Sequence, residues 1–193
     1  MADQKRILLI IGGGIAAYKC FELIRRLKEQ GIASRVIMTK AATEFVTPLS
    51  VATLCGEKVF TDMFDLTDET EIGHIELSRS ADLVVVAPAT ADLMARMAGG
   101  QANDLATTAL LATDKPVLIA PAMNVRMWQH AATQRNLATL ETDGIEVIGP
   151  NDGDMACGEF GPGRMAEPAE IIEKITALLG NEHARPLAGR KVL

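Results

Sequence analysis

Four apolar residues, Val117 to Ala120, stand between Pro116 and Pro121 with no polar residue among them. So short a run, without alternation and closed by proline at both ends, reads as a strand buried on both faces, as in a parallel sheet covered by helices. Parallel strands need long crossover connections, usually helical, so this one feature already narrows the chain to an α/β architecture. Where the run ends, the sequence places Met123, Asn124, Met127 and Trp128, the only tryptophan. Ligands of open α/β sheets bind at the carboxyl ends of the strands, and chemistry is expected here.

The rest of the chain repeats the pattern. Ile7 to Ile11 is a second apolar run, and it enters Gly12, Gly13 and Gly14. A helix is predicted from about Ala16 to Gln30, with Cys20, Leu23, Ile24 and Leu27 on one face and Arg25, Arg26, Lys28 and Glu29 on the other. Further strands are predicted at Ser34 to Met38, Leu83 to Ala87 and Ile145 to Ile148. Thr47-Pro48 opens a short helix that stops at Gly56, and another is expected around Leu93 to Ala98. Asn103-Asp104 caps a helix reaching Thr113, and Thr133 caps one whose Leu137 and Leu140 face inward before Gly144. Pro168 starts the last, with Ile171, Ile172, Ile175, Leu178 and Leu179 inside. The alternation predicts one α/β domain, a single doubly wound parallel sheet of Rossmann or flavodoxin-like type with helices on both faces. Gly149 to Arg164, with five glycines and two prolines, predicts a lid-like loop without regular elements. The acidic stretch from Asp62 to Glu71 predicts a solvated loop. The tail Arg185 to Leu193 reads as the first residues of another strand, so residues 183–193 are expected to be a linker and the start of a following domain, after a domain spanning 1–182.

The glycine turn suits a phosphate, because a strand running into a helix through glycines gathers free backbone N–H groups at a positive helix end. Gly12-x-Gly14-x-x-Ala17 even fits the dinucleotide fingerprint, but the second strand ends in Thr39-Lys40 rather than in the acidic residue that would hold an adenosine ribose. A monophosphate such as FMN fits, and an NADP 2'-phosphate stays open. Three cysteines without Cys-x-x-Cys spacing argue against a disulfide framework or a metal site. Cys20 and Cys55 are read as packing residues on helices, whereas Cys157 lies in the glycine-rich stretch, where catalysis or a bystander role are both open. His74, in Gly-His-Ile-Glu-Leu, is likewise structural or catalytic on position alone. A net charge of -6 and no basic run beyond two residues disfavour a nucleic-acid surface. No apolar run approaches the ~20 residues that span a bilayer, and a cytoplasmic location is expected.

Taken together, Gly-Gly-Ile-Ala-Ala-Tyr-Lys at 13 to 19, His74, Pro-Ala-Thr-Ala-Asp at 88 to 92, Pro-Ala-Met-Asn-Val-Arg-Met-Trp at 121 to 128 and Ala-Cys-Gly at 156 to 158 resemble the flavin-containing cysteine decarboxylases. Within them, the likeness is to the branch that acts on phosphopantothenoylcysteine in coenzyme A biosynthesis, in which a CTP-dependent ligase domain follows on the same chain. The resemblance implies FMN as cofactor, with Gly14, Ile15 and Thr39 at its phosphate and Pro88, Ala89, Thr90, Ala91, Asp92, Leu93 and Ala122 near its rings. It implies His74 as base, Asn124 as hydrogen-bond donor to the departing carboxylate and Cys157 as donor of the final proton, with Asn124, Met127 and Ala156 against the substrate. It also implies a trimer or an assembly of trimers. The family's ring-binding motif commonly reads Pro-Ala-Ser-Ala-Asn-Thr, and this chain departs from it at Thr90, Asp92 and Leu93. A peptidyl-cysteine decarboxylase shares His74 and Asn124, and a non-catalytic regulatory flavoprotein is the alternative from another class. The flavin prenyltransferases share the fold but not this histidine and Asn-x-x-Met-Trp pair.

Overall fold

The computed structural model describes residues 4–63, 73–155 and 158–181, with the side chains of 73–75 and 181 left aside. Six parallel strands form one sheet in the order β3-β2-β1-β4-β5-β6: β1 Arg6–Ile11, β2 Ala33–Met38, β3 Val59–Phe60, β4 Leu83–Ala89, β5 Val117–Pro121 and β6 Glu146–Val147. From β1 the chain winds outward through β2 and β3, then returns to β4 and winds the other way. The order reverses between β1 and β4, the place where such sheets open a crevice.

Side chains alternate across the sheet, and both faces are buried. Ile7, Leu9, Ile11, Val36, Met38, Val85 and Leu118 pack against helices α1 Lys19–Glu29, α2 Pro48–Cys55 and α8 Pro168–Asn181. Leu8, Ile10, Ile37, Val84, Val86 and Ile119 face α3 Gly73–Arg79, α4 Ala91–Ala98, α5 Leu105–Ala112 and α7 Ala131–Thr142. Each such side chain, taken wholly out of water, contributes about 1.5–3 kcal/mol, which is why the strands read as unbroken apolar runs. Among the described residues, no helix is long and apolar enough to cross a membrane.

Several expectations are corrected. The predicted helix from Ala16 begins as a 3-10 turn, Ile15–Tyr18, before α1 proper. A sixth strand, β3, extends the edge; only two residues long, it has too few positions to show a period. The strand expected at Ile145 to Ile148 narrows to Glu146–Val147. His74 lies in helix α3, which the acidic stretch before it hid; residues 64–71 of that stretch lie outside the described residues. Helix α7 is capped by His130, whose Nδ1 accepts from the Ala132 amide at 3.1 Å, and Thr133 is buried inside it. Thr47 and Asp104 do cap α2 and α5 as read, Thr47 Oγ1 accepting from Ser50 N at 3.1 Å and Asp104 Oδ1 from Thr107 N at 2.8 Å.

The largest correction concerns Gly149 to Arg164. Instead of a loop without elements, it holds an antiparallel ribbon, β7 Asn151–Asp154 against β8 Phe160–Arg164, with Gly153 opposite Gly161. Gly153, Gly161 and Gly163 have φ of +152°, +144° and +144°, extended conformations that side chains with a Cβ rarely adopt. The glycines that seemed to forbid a strand are what permits this one. Residues 182–193 lie outside the described residues.

Candidate active site

Two loops meet at the switch point. The glycine turn after β1 is squeezed from both sides: a Cβ on Gly12 would collide with the Pro88 carbonyl, and one on Gly13 with Ala41. At Gly14 the space is open, the nearest atom to a built Cβ being Thr90 Cγ2 at 3.8 Å. The Ala17 amide turns back onto the Gly14 carbonyl at 2.9 Å, so the amides of Gly14 and Ile15 precede the first bond of the turn. From β2, Thr39 caps the 3-10 turn Lys40–Glu44 by accepting from the Ala42 amide at 3.2 Å. From β4, Thr90 caps α4 by accepting from the Leu93 amide at 3.2 Å.

These ends surround a cavity of about 700 Å³, within the size range of small-molecule sites. Gly13, Thr39, Lys40, Thr90, Asp92 and Leu93 are among its lining residues, and Met127 reaches it from across the crevice. Arg96 lies on its wall, held by Asp104 at 2.7 Å and facing Asp92 at 3.8 Å. Burial alone would push the Asp104 carboxyl up, but the Thr107 amide and hydroxyl and the Arg96 guanidinium outweigh it and hold it below its ordinary value. A glycine cradle that a Cβ would fill, a hydroxyl and an ammonium at the β2 end, and small residues at the β4 end fit a flat-ringed monophosphate. Asp92, where the family pattern has an amide, faces Arg96.

A second cavity, of about 360 Å³, is lined by a different set of residues. Ala122 and Asn124 line it from the β5 side, Tyr18 and Lys19 from the β1 side, and Asp154, Met155 and Arg164 from the ribbon. Asn124 is the N-cap of helix α6, Val125–Gln129, and its Oδ1 accepts from the Met127 amide at 2.8 Å. The two strand ends are tied directly, the Ala122 amide donating to the Ala89 carbonyl at 3.0 Å. The ribbon is seated on the same segment: the Met123 amide donates to the Gly163 carbonyl at 3.0 Å, and Val125 lies where a Gly161 Cβ would approach to 3.2 Å.

The residues singled out from sequence therefore divide between the cavities. Thr39, Thr90, Ala91, Asp92, Leu93 and Met127 line the larger, Ala122 and Asn124 the smaller, with Pro88 and Ala89 completing buried β4 and Ile15 exposed beside the glycine turn. His74 is placed on α3, and nothing is described of its side chain; Ala156 and Cys157 lie outside the described residues. From sequence, Lys19, Asp104 and Arg164 carry no assigned site role, although Asp104 is read as a cap. Lys19 had a signal: it precedes Leu23 and Leu27 at four-residue steps on the buried stripe of α1, where an ammonium needs a partner. It is 8% exposed and donates to the Met165 carbonyl at 3.0 Å and to Glu167 Oε1 at 2.7 Å.

Known proteins resemble the chain over most of its length. The coenzyme A biosynthesis bifunctional protein CoaBC of Vibrio vulnificus is 55% identical over 168 residues, 87% of this chain and 42% of that protein, so the chain spans less than half of its length. A solved structure of a cysteine-to-serine mutant of PPC decarboxylase, complexed with pantothenoylaminoethenethiol, is 35% identical with a TM-score of 0.83, covering 91% of this chain and 98% of that one. The FMN-dependent cysteine decarboxylase SpaF superposes with a TM-score of 0.81 at 27% identity, over 93% and 98% of the two chains. The profile of the Flavoprotein family matches residues 1–180, and the chain belongs to that family.

Proposed function

We propose that this chain binds FMN and catalyses the decarboxylation of 4'-phosphopantothenoylcysteine to 4'-phosphopantetheine, the carboxy-lyase step of coenzyme A biosynthesis. The observation that carries the reading is the pair of cavities built from the segments that follow the strands, one suited to a monophosphate and the other presenting Asn124. The likeness to CoaBC and to PPC decarboxylase supports the choice of substrate. Bound there, FMN supplies reversible two-electron chemistry at the substrate's carbon–sulfur centre.

The amides of Gly14 and Ile15, with Thr39, would hold the cofactor phosphate, and Pro88 to Leu93 with Ala122 would lie near its rings. Asn124 presents its NH₂ to the substrate carboxylate, a neutral donor that orients the group without the charge stabilisation that would retain it. His74 takes the proton released as the substrate is oxidised, since an imidazole titrates near neutrality. Cys157 returns a proton at carbon after carbon dioxide has left. Met127 and Ala156 border the substrate, and the ribbon, tied to Met123 at its base, keeps water from it. On the full-length protein, residues 183–193 lead into the ligase domain. Self-association, as a trimer or an assembly of trimers, is supported by exposed apolar side chains on neighbouring segments, Ile15 and Tyr18 beside the glycine turn and Phe45 and Leu49 after β2. A soluble, cytoplasmic enzyme follows from this reading.

The test is the visible spectrum of the purified protein, identification of its chromophore, and carbon dioxide release from phosphopantothenoylcysteine against a peptide with a C-terminal cysteine. Bound FMN with turnover of the first substrate is expected. A protein that refuses FMN overturns the cofactor assignment, and turnover of the peptide alone moves the assignment to the peptidyl branch.

A further inference from the structure

Strand β4 does not end evenly. Its register with β1 runs to Val86 opposite Ile10, and its register with β5 slips between Val86 and Ala89, where pairing resumes opposite Pro121. Ala87 falls in neither register. Its carbonyl accepts a hydrogen bond from Cys20 Sγ at 3.0 Å, the thiol reaching across from α1. Cys20 is wholly buried, and the apolar surroundings push its thiol up to about 12, so it stays protonated and remains a donor across the physiological range. Shortly after Ala87 come Pro88, whose carbonyl leaves no room for a Cβ at Gly12, and Thr90, whose methyl stands 3.8 Å from where a Gly14 Cβ would be. The slip thus lies just before residues 90–93, which line the larger cavity, and the thiol anchors the residue at which the slip begins.

We propose that Cys20 is a positioning residue for the cofactor site: its thiol, bonded to the Ala87 carbonyl, fixes the end of β4 and so the placement of Thr90 to Leu93 on the wall of the flavin cavity. The role explains why the buried stripe of α1 carries a sulfhydryl at this place, between Ala17 and Leu23, where an aliphatic residue would pack but donate nothing. It makes no contact with the cofactor itself and acts through the β4 backbone. The inference rests on the FMN reading for its consequence, though not for its geometry.

Three variants separate the bond from the packing: Cys20→Ala and Cys20→Val remove the donor, with less and more volume, and Cys20→Ser retains it. In FMN titrations followed by fluorescence and visible absorbance, Cys20→Ala and Cys20→Val are expected to bind about three- to tenfold more weakly, the worth of one ordinary hydrogen bond, with altered flavin bands. Cys20→Ser should stay within about twofold of the parent protein. Amide hydrogen exchange without added flavin reads the same geometry independently: exchange at residues 89–94 should rise in Cys20→Ala and Cys20→Val but not in Cys20→Ser, with α5 unchanged. Parent-like FMN affinity and exchange in folded Cys20→Ala overturn the proposal, as does an equal loss in Cys20→Ser, which would make Cys20 packing alone. Should the parent protein refuse FMN, the cofactor reading falls, and the exchange data still decide whether Cys20 positions the β4 end.

Discussion

Asn124 spends its side-chain carbonyl on the Met127 amide at 2.8 Å, which starts α6 and leaves the NH₂ for a ligand. The two halves of one amide therefore do separate work, and a substitution can divide them. Asn124→Asp keeps an acceptor for the cap but replaces the donor with a charge that repels a carboxylate. We expect an unchanged melting temperature and carbon dioxide release reduced about 10²-fold or more, the scale of losing one well-placed donor; release within threefold of the parent would remove Asn124 from the chemistry. Gly163 illustrates the opposite case, a residue chosen for what it lacks. At φ +144°, with the Met123 carbonyl where a Cβ would go, Gly163→Ala should cost more than about 2 kcal/mol in urea unfolding. Gly180→Ala, with nothing within 4 Å, serves as the control and should be neutral or slightly stabilising.

At the scale of elements, three strand ends that build the site pass into a helix or 3-10 turn through a capping side chain, Thr39 after β2, Thr90 after β4 and Asn124 after β5, while the β1 end enters through Gly14 without one. Capping and site-building coincide because a cap holds a polar side chain and free amides at the carboxyl end of a strand. Thr90 adds a methyl against the glycine turn. Thr90→Ala should lower unfolding stability by about 1 kcal/mol, and Thr90→Ser, which keeps the cap, by clearly less; equal losses in the two would assign the effect to the methyl. At the other end of the site, the Glu170 carboxylate accepts from the Glu167 amide and from Asn151 Nδ2, both at 2.7 Å, joining the start of α8 to the start of the ribbon. Lys19 reaches the same junction through Glu167, so the ribbon is rooted in α1 and α8 although its strands stand apart from the sheet.

Among the described residues, three carboxylates are held below their ordinary values. For Asp82, burial pushes upward but is outweighed by the Arg6 amide and Lys5, which tie the amino ends of β1 and β4, and by the charge of Lys115. For Asp104 the Thr107 and Arg96 contacts outweigh burial in the same way. For Glu170 the Glu167 amide leads, with Asn151. A carboxyl whose folded value is depressed adds stability that is present above its ordinary value, 3.8 for Asp82 and Asp104 and 4.5 for Glu170, and is lost as pH falls through the folded value. The melting temperature should therefore decline below about pH 4.5 and keep declining well under 3.8. Replacing Asp82 by Asn should flatten part of that decline, and an identical acid profile in the variant would show that the β1–β4 tie carries none of it.

The fold was legible because burial on both faces writes itself as unbroken apolar runs, and the helices between them carry their caps and stops in sequence. That Thr39, Asn124 and the glycine turn stand at strand ends was legible for a related reason: a parallel sheet exposes polar backbone there, so polar residues that directly follow an apolar run mark the strand end by position alone. Residues paired across long sequence distances could not be read in this way. Lys19 finds its partners at Met165 and Glu167, and Cys20 finds its own at Ala87, because packing brings α1 against α8 and β4. The ribbon was hidden for a further reason. Glycine reports only that a side chain is absent, and whether that freedom serves a loose loop or a strand of reversed φ was decided by what packs against it, here Met123 and Val125. The sequence by itself determined the layers and the strand ends; the tertiary structure alone decided which distant groups meet there, because those contacts depend on how helices close over the sheet and leave no local period behind.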